Sequence, residues 1–508
     1  MPGLPRATIR RSAVALGLAL ALVPRPATGQ PGGRMFSIGV KSPVRYQVVQ
    51  RGVSGLADIP IILPDDLKDA KVVSASLTLM GSLGGTIARY VDGKLIGVPP
   101  GGPYSIQGEI EVRGKENRAF QVDPVYVGDL WVLAGQSNMQ GVGDLQAGGA
   151  YTVQPVTSLG MDGKWEAAKE PLHWLVDSPD PVHSGDPATR AERSKEEHRT
   201  RTKGAGLGIP FAEALVAETR VPVGLVPCAH GGTSLEQWSP ARKGEGGGSL
   251  YGSMLRQVKL AGGKVKGVLW YQGESDAMSG GPVAGAYART FAAFIAAVRD
   301  DLGRPDLPFY YVQIGRYVHE GDPKDWNAVQ EAQRRLLETV PNTAVVSVVD
   351  LELDDAIHVG TAGLRRAGER LAKVALREQY GLLGATTPTL DRVGRGDGGS
   401  LVVKFRGVNR TAYAVSNVGR VPTSTGGLQP LRHVAGFSIR RADGRELPLI
   451  YEAAVGPARD TVVLKLAGPV PAGASLFYGW GFDPYCNLTD TLDMAVPAFG
   501  PIALEGIE

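Results

Sequence analysis

Five continuous apolar runs constrain the fold of this chain more than any other feature. They are residues 130–137 (LWVLAGQS), 221–229 (VPVGLVPCA), 266–273 (KGVLWYQG), 309–315 (FYYVQIG) and 343–351 (TAVVSVVDL). A strand buried on both faces of a parallel sheet has this pattern, whereas a half-exposed strand alternates apolar and polar residues. The runs therefore predict a central parallel sheet.

Helical segments separate these runs. One of them is residues 287–303, in which the apolar residues recur at the spacing of one helix face: Phe291, Phe294, Ile295, Val298 and Leu302. Residues 326–340 and 364–380 have the same amphipathic pattern. Strands that alternate with helices imply right-handed crossovers, so we predict a three-layer α/β/α domain with a parallel sheet over residues 127–383.

The flanking segments have a different pattern. Residues 30–126 and 384–508 contain short β segments between glycine and proline turns, which predicts an N-terminal β domain and a C-terminal β-sandwich-like domain. An insertion at about residues 144–203 interrupts the α/β alternation and ends in the charged run RAERSKEEHRTRTK. Such a run predicts a solvated surface, and an insertion beyond a strand end could also wall a binding cleft.

The first 29 residues have the layout of a signal peptide. An apolar run at residues 13–23 follows three arginines and precedes small residues, the arginines being Arg6, Arg10 and Arg11. The run is short for a bilayer span, so a membrane anchor is the weaker alternative. We therefore expect a secreted or periplasmic protein that is not membrane-bound after cleavage, exported by the general or the twin-arginine route.

Composition limits the partners. Cleavage after Gly29 would remove four arginines and no acid, which changes the formal charge from +3 to −1. A near-neutral chain lacks the basic footprint of a nucleic-acid-binding protein, so we expect no nucleic-acid partner. The chain has two cysteines, Cys228 and Cys486. They could pair in an exported protein, but the buried strand around Cys228 favours a free thiol.

A serine at a strand end is the first candidate for chemistry. Ser137 follows the run at 130–136, where α/β folds place ligands, and its hydroxyl needs a base to become a nucleophile. His358 follows Asp355 by three residues and stands just before a predicted helix. An acid at that spacing can hold the histidine tautomer, as the third member of a catalytic triad does.

Each of these residues has another interpretation when it is taken alone. Ser137 could be a helix cap, and the Asp355–His358 pair could be a surface turn or half of a metal site. The metal interpretation is weaker because no further histidine or cysteine lies nearby at ligand spacing. Two other strand ends add candidate oxyanion donors, the backbone at Gly231-Gly232 and the Gln272 amide, although both could be ordinary turn and capping residues.

These strand-end segments, taken in order, resemble the conserved blocks of SGNH-type esterases. In detail they are similar to the sialate O-acetylesterase-like family, which is related to the acetylxylan esterases of carbohydrate esterase family 6. The blocks are GQSNM at 135–139, GGTS at 231–234, WYQGES at 270–275 and DAIH at 355–358. GGPYSIQG at 101–108 and the segment from Ser475 to Pro501 resemble the flanking β parts of the same family.

The resemblance implies a flavodoxin-like SGNH-hydrolase domain and a serine esterase that removes acetyl groups from O-acetylated sugars through an acetyl-enzyme. It implies roles for the matching residues: nucleophile Ser137, acid and base His358, orienting carboxylate Asp355, and oxyanion donors at Ser137, Gly232 and Gln272. Gln136, Asn138 and Glu274 are candidates for supporting or substrate contacts, and Glu274 could act as a second acid near His358. Asp354 is adjacent, but the spacing favours Asp355. No metal and no organic cofactor is expected.

Three alternatives remain open at the level of sequence. The substrate could be acetylated xylan or another hemicellulose, the chain could be a glycan-binding protein on a degenerate hydrolase scaffold, or it could be a lipase-like esterase. The intact serine, aspartate and histidine set argues against a degenerate scaffold, and the charged insertion argues against a long acyl groove. Four tryptophans could stack on sugar rings or belong to the core: Trp165, Trp174, Trp238 and Trp270.

Overall fold

The first strands of the chain lead into the central sheet through one long strand. The structure is a computed structural model that describes residues 39–67, 69–82, 85–115, 117–145, 155–409 and 433–507. The predicted signal peptide lies outside the described residues. The strands of the first part are β1 (Val48–Gln50), β2 (Ala57–Pro60), β3 (Lys71–Leu79), β4 (Arg89–Val91), β5 (Lys94–Val98), β6 (Gly101–Glu111) and β7 (Arg118–Gly135), with a 3-10 turn at Asp65–Leu67.

Strand β7 belongs to two environments. Its first half pairs antiparallel with β6, which pairs with β3, and its second half is parallel to strands of the α/β region. The first half contributes Phe120 to a local core with Leu77 and Ile106, while β2, β5 and β4 form a small separate sheet. The predicted boundary at residue 126 falls inside β7, so the N-terminal strands share a hydrogen-bonded sheet with the α/β part. The division into separate domains stays a prediction.

The predicted insertion adds to the central sheet and to its edge. Its elements and neighbours are α1 (Ser137–Gln140), β8 (Gly143–Asp144), β9 (Val156–Leu159), β10 (Trp165–Ala167), α2 (Pro181–Ser184), α3 (Pro187–Thr200) and β11 (Lys203–Ala205), with a 3-10 turn at Leu175–Asp177. Strand β10 pairs antiparallel with β9. Helix α3 contains the charged run and buries none of its residues, which confirms the predicted solvated surface.

The remaining elements complete the α/β alternation. They are α4 (Gly208–Thr219), β12 (Val223–Pro227), α5 (Leu250–Leu260), β13 (Gly267–Tyr271), α6 (Glu274–Ser279), α7 (Gly281–Asp301), β14 (Phe309–Val312), α8 (Lys324–Leu336), β15 (Thr343–Val346) and α9 (Thr361–Tyr380), with 3-10 turns at Pro240–Gly248. The sheet order is β10-β9-β12-β7-β13-β14-β15, and the strands from β9 to β15 are parallel. All five apolar runs form these parallel strands, so the predicted α/β fold is confirmed.

The strand order places one residue of the predicted site at a special position. Strands β12, β7, β13, β14 and β15 have the flavodoxin-like order 2-1-3-4-5, with β9 and β10 added beside β12. The order reverses at β7, and ligands of open α/β sheets bind at the carboxyl ends of the strands where it reverses. Ser137 directly follows β7. The fold therefore puts it where a binding crevice forms.

Helices cover the sheet as their spacing predicts. Helix α7 buries Phe291, Phe294, Ile295 and Val298, and it packs against α8, while α4 packs against α9. Right-handed crossovers place these two pairs on opposite faces, which completes three layers. By length and hydropathy alone α7 could also cross a membrane, but its aromatic residues pack with Trp270 and Phe309 of the sheet.

The last part of the chain forms two four-stranded antiparallel sheets. Their orders are β16-β17-β21-β20 and β19-β18-β22-β23, and the strands are β16 (Thr389–Arg395), β17 (Leu401–Arg406), β18 (Phe437–Arg440), β19 (Glu446–Leu447), β20 (Ile450–Val455), β21 (Thr461–Leu466), β22 (Ser475–Tyr478) and β23 (Phe499–Ala503), with a 3-10 turn at Asp397–Gly399. Val403 and Ile439 from the two sheets share one core. This part also contacts the α/β region. The Gln313 side-chain amide donates to the Ala498 carbonyl at 2.9 Å and accepts the Ala498 N–H at 2.8 Å.

The two cysteines lie in different cores. Cys228 is buried in the α/β core and Cys486 in the core of the last part, and both thiols are free. Burial raises the pKa of each thiol, to about 12 for Cys486. Each side chain therefore behaves as a small core residue rather than a reactive thiolate.

Candidate active site

The nucleophile candidate sits on a turn that only glycine allows. Gly135 ends β7 with a φ of +136°, and a Cβ there would lie 2.2 Å from the Tyr271 carbonyl oxygen of β13. The next residue donates its backbone N–H to that same oxygen at 2.8 Å. The chain then turns at once into the short helix α1, which begins at Ser137. The close approach of two strand ends therefore fixes where the Ser137 hydroxyl stands.

The structure brings Ser137, His358 and Asp355 into one hydrogen-bonded line. Ser137 Oγ lies 2.8 Å from His358 Nε2, and His358 Nδ1 lies 2.7 Å from Asp355 Oδ2. The carboxylate can only accept, so it holds the proton on Nδ1 and leaves Nε2 to accept the serine proton. The three residues predicted as a triad have the mutual geometry that a triad needs.

The histidine and its acid share one compact loop before α9. The second oxygen of Asp355 accepts the backbone N–H groups of Ile357 and His358 at 2.9 and 2.8 Å. Partial burial raises the pKa of Asp355, but the His358 hydrogen bond and these two N–H groups outweigh it and lower the pKa to about 2. The neighbouring Asp354 instead lies 3.7 Å from the Lys203 ammonium. The carboxylate that orients the imidazole is therefore the one that the spacing predicts.

A buried carboxylate anchors the residues on both sides of the serine. Glu274 Oε1 accepts the Asn138 amide at 2.9 Å. In the orientation that satisfies both of its polar atoms, the Gln136 amide donates to Glu274 Oε2 at 3.1 Å. Asn138 Oδ1 also accepts the Val359 N–H at 3.0 Å, directly after His358. These three predicted supporting residues thus tie the serine turn to the histidine loop.

Glu274 is held in an environment that opposes its charge. Burial raises its pKa, and the Asn138 hydrogen bond and the positive charge of a protonated His358 lower it to a smaller extent. Neither Glu274 nor Asn138 hydrogen-bonds to Ser137 Oγ or to the His358 ring. Both are therefore positioning residues rather than members of the reacting set.

Two backbone N–H groups at the serine turn and the Gly231 loop are candidates for the oxyanion hole. No described acceptor takes the N–H of Ser137 or of Gly232 among the hydrogen bonds of residues 39–507 that the structure describes. Gly231 brings the second group close, since a Cβ on it would lie 3.4 Å from Ser137 Cβ. The Gly231 N–H is itself held by Gln140 Oε1 at 2.8 Å. The predicted oxyanion donors at Ser137 and Gly232 thus have no described acceptor, and Gly231, next to Gly232, lies beside Ser137.

The third predicted oxyanion donor, Gln272, has a different environment. Its amide nitrogen donates to the Thr233 carbonyl at 3.1 Å and to the Asp276 carboxylate, which engages both hydrogens. The side chain is 0% exposed, so nothing bound in an open cleft could contact it. The expectation that Gln272 donates to the oxyanion is therefore not supported. It fixes the loop after Gly232 instead, because its partner Thr233 belongs to that loop.

The tryptophans also separate into two groups. Trp165, Trp238 and Trp270 are buried in the core. Trp174 is half-buried and stacks on His198 with ring centroids 3.7 Å apart, below the Arg201 guanidinium. Three of the four candidates for sugar stacking are thus core residues.

Sequence reasoning missed residues that act through distant partners. Gln140 holds the Gly231 loop across 91 residues of sequence, and Asp276 fixes both Gln272 and the Leu235 N–H. Neither residue belongs to a local pattern, because the partner of each is set by the order of strands in the sheet. In the part of the chain that the structure describes, no group of three His, Cys, Asp or Glu residues could hold a metal ion.

Comparisons with known proteins fit this site. A family model described as a carbohydrate esterase, sialic acid-specific acetylesterase, matches residues 127–377. A probable carbohydrate esterase of Arabidopsis thaliana is 29% identical over 282 residues, which are 50% of this chain and 92% of that protein. The sialate O-acetylesterase of Pongo abelii is 25% identical over 299 residues, 50% of this chain and 53% of that protein. The matched part therefore spans about half of the length of the latter relative.

A solved structure extends the similarity to the β parts. A carbohydrate acetylesterase from Xanthomonas citri aligns over 90% of this chain and 97% of its own, with a TM-score of 0.59 and 26% sequence identity. This alignment is too long to be confined to the 251 residues of the family match. The β strands on both sides of the α/β region therefore belong to an architecture that the Xanthomonas citri protein shares.

Proposed function

We propose that the chain, whose residues 127–377 match the family model of carbohydrate esterases described as sialic acid-specific acetylesterases, hydrolyses sugar acetates through an acetyl-enzyme on Ser137. The observation that carries this proposal is the line from Ser137 Oγ through the His358 ring to Asp355, with both contacts below 3 Å. A hydroxyl in such a line loses its proton to the imidazole as it attacks a carbonyl.

The first half of the reaction forms the covalent intermediate. His358 Nε2 takes the Ser137 proton while Oγ bonds to the acetyl carbon, and the carbonyl electrons move onto oxygen. The N–H groups of Ser137 and Gly232 donate hydrogen bonds to that oxyanion, because no described group already accepts from them. The carbonyl then re-forms, the bond to the sugar oxygen breaks, and the His358 proton passes to that oxygen, which leaves as the sugar hydroxyl.

The second half repeats these steps with water. His358 takes a proton from water as the oxygen attacks the acetyl carbon, and returns it to Ser137 Oγ when acetate leaves. Asp355 stays ionised throughout, since its pKa of about 2 lies far below neutral pH. Its role is to hold the imidazole and to stabilise the imidazolium that forms twice in each cycle.

Acetate release tests this function directly. The substrates are O-acetylated sialic acids, acetylated xylan and a long-chain ester, each with the wild type, Ser137→Ala and the matched control Ser279→Ala. Ser279 is exposed on α6 and bonds only to the Ser275 carbonyl, so its loss should change nothing. We expect Ser137→Ala to lose at least roughly 10³-fold in kcat on the sugar acetates.

Trapping the intermediate makes the same test independent of turnover. Intact-mass analysis after rapid acid quench should show one added acetyl group on the wild type and none on Ser137→Ala. Equal release of acetate by wild type and Ser137→Ala would remove Ser137 as nucleophile. Release from the long-chain ester alone would favour the lipase-like alternative, and release from xylan alone would favour a hemicellulose esterase.

We also propose that the chain is exported, on the support of its N-terminal pattern of arginines, apolar run and small residues. Expression of the full chain with a C-terminal tag, followed by fractionation and N-terminal sequencing, tests this. Export predicts a new N-terminus near residue 30, whereas an intact N-terminus in the membrane fraction would favour an anchor.

A further inference from the structure

A second histidine chain lies beside the oxyanion loop and takes no part in the reaction above. His230 immediately precedes Gly231, and its ring lies beside that of His183, with centroids 5.2 Å apart. The two Nδ1 atoms are 3.0 Å apart. His183 Nε2 lies 3.1 Å from Ser253 Oγ, which donates to Asp180 Oδ2 at 2.5 Å. The chain thus runs from a carboxylate through a hydroxyl and two imidazoles.

The proton on every atom of this chain can be assigned. Asp180 is an acceptor that also receives the Arg256 Nε–H at 2.8 Å, so the Ser253 hydroxyl proton points at Asp180. Ser253 Oγ must then accept from His183 Nε2–H. A neutral imidazole has one N–H, so His183 Nδ1 is an acceptor and the proton between the two rings belongs to His230 Nδ1. His230 is left with a bare lone pair on Nε2.

The assignment of these protons requires that both histidine rings are neutral. Burial, the neighbouring His230 and then His173 and Arg256 lower the pKa of His183 to about 3. Burial lowers the pKa of His230 as well. Both rings are therefore neutral near pH 7, and each keeps the single proton that the chain requires.

The free lone pair of His230 is accessible. The residue is half-buried, and Nε2 has no described hydrogen-bond partner and is not among the enclosed polar atoms. The residue is also close to the nucleophile in the fold, because its backbone N–H donates to the Gly135 carbonyl at 3.0 Å, and a Cβ on the next residue, Gly231, would lie 3.4 Å from Ser137 Cβ. A neutral acceptor of fixed tautomer is thus accessible on the residue that precedes the Gly231-Gly232 loop beside Ser137.

We propose that His230 Nε2 accepts a hydrogen bond from a free hydroxyl of the acetylated sugar, and that His183, Ser253 and Asp180 hold the tautomer which makes this possible. The inference rests on the proposed function and names one determinant of its specificity. A sugar acetate offers hydroxyl donors near the ester, whereas an aryl acetate offers none. The insertion contributes to the site through His183 on α2, which gives the predicted cleft wall a recognition role.

Two substitutions at His230 distinguish a hydrogen bond to the substrate from structural support of the serine turn. In His230→Asn the short amide can still donate to His183 but has no atom at the Nε2 position. In His230→Gln a longer amide can place its oxygen near that position. Each is assayed on a mono-O-acetylated sialic acid, on a mono-O-acetylated methyl xyloside, on their fully acetylated forms and on 4-nitrophenyl acetate.

The expected result is selective. His230→Asn should lose about tenfold in kcat/KM on the mono-acetylated sugar that the wild type prefers, the loss lying mainly in KM, because one hydrogen bond to substrate disappears. Activity on the fully acetylated sugar and on 4-nitrophenyl acetate should stay within about twofold, and His230→Gln should retain most of the wild-type value.

Ser253→Ala tests the chain behind His230. Without the Ser253 hydroxyl the His183 tautomer is no longer fixed. We therefore expect kcat/KM to fall about threefold on the same mono-acetylated sugar and not to change on 4-nitrophenyl acetate. The double variant of Ser253→Ala and His230→Asn should lose no more kcat/KM than His230→Asn alone, because both changes remove the same hydrogen bond to the substrate.

Two outcomes would overturn the inference. One is an equal loss by His230→Asn on the mono-acetylated sugars and on 4-nitrophenyl acetate, which would make His230 a structural support of the serine turn. The other is unchanged activity of His230→Asn on every substrate. Both are distinct from failure of the proposed function, in which the wild type itself would release no acetate from any sugar while cleaving 4-nitrophenyl acetate.

Discussion

The two halves of the triad are held in opposite ways. The serine turn is buried, and its neighbours Gln136 and Asn138 are anchored by Glu274, which lies 136 residues from Asn138 in the sequence. The histidine loop is local and open, and the Asp355 side chain is half-exposed while it binds three groups within three residues of itself. The nucleophile is thus positioned by the tertiary fold and the base by its own loop.

The two halves should therefore respond differently to substitution. A change in the open loop removes a chemical group without disturbing the core. A change in the buried turn leaves unpaired polar atoms behind, and these destabilise the folded state as well as the reaction. Substitutions in the histidine loop should therefore lower the rate without lowering stability. Substitutions in the serine turn should lower both.

The largest effect should come from Asp355→Asn. The amide can no longer hold the proton on His358 Nδ1 or stabilise an imidazolium, so we expect kcat to fall by roughly 10³- to 10⁴-fold. Because the side chain is half-exposed, the melting temperature should stay within about 2 °C. Steady-state kinetics and thermal unfolding measure the two quantities. A large fall in melting temperature would contradict the view that this half of the triad is held locally.

Asn138→Ala should affect both quantities. It leaves Glu274 Oε1 and the Val359 N–H without a partner, so we expect a loss of about 1–3 kcal/mol in the free energy of unfolding. The histidine loop is also released from the serine turn, which should lower kcat by roughly 10- to 100-fold. Urea unfolding and kcat are compared with those of Asp355→Asn. Full stability with full activity would mean that the buried network does not position the serine.

The buried side also predicts a pH dependence of stability. His183 has a pKa of about 3 in the folded protein and about 6.5 when unfolded, so its contribution is present above pH 6.5 and is lost as the pH falls toward 3. The difference in unfolding free energy between wild type and His183→Asn should thus shrink by about 2 kcal/mol from pH 7 to pH 5.

Urea titrations at pH 7 and pH 5 measure this change. His319→Asn is the matched control for the loss of a histidine, because His319 is exposed. A gap for His183→Asn that widens at pH 5 would contradict a buried, neutral His183.

The same contrast explains what the sequence can predict. The five strands follow from apolar runs that need no partner to be recognised, and the Asp355–His358 pair follows from a spacing of three residues. Gln272 was expected to face the oxyanion because it follows a strand end. Its direction depends on Asp276 and Thr233, and the latter comes from another strand end, so no local pattern could reveal it. The chain from Asp180 to His230 crosses three segments for the same reason.

The smallest effect should come from Asp354→Asn, and it tests how local the histidine loop is. Asp354 is the neighbour of Asp355, but its carboxylate lies 3.7 Å from Lys203, and its backbone N–H already donates to the His358 carbonyl, which an asparagine preserves. An exposed ion pair of this kind contributes little to stability, so kcat/KM should stay within about twofold. A loss comparable to that of Asp355→Asn would show that the two carboxylates exchange places during turnover. Because they differ by one residue, the pair isolates side-chain direction from loop position, and the open half of the triad then depends on the direction of one carboxylate alone.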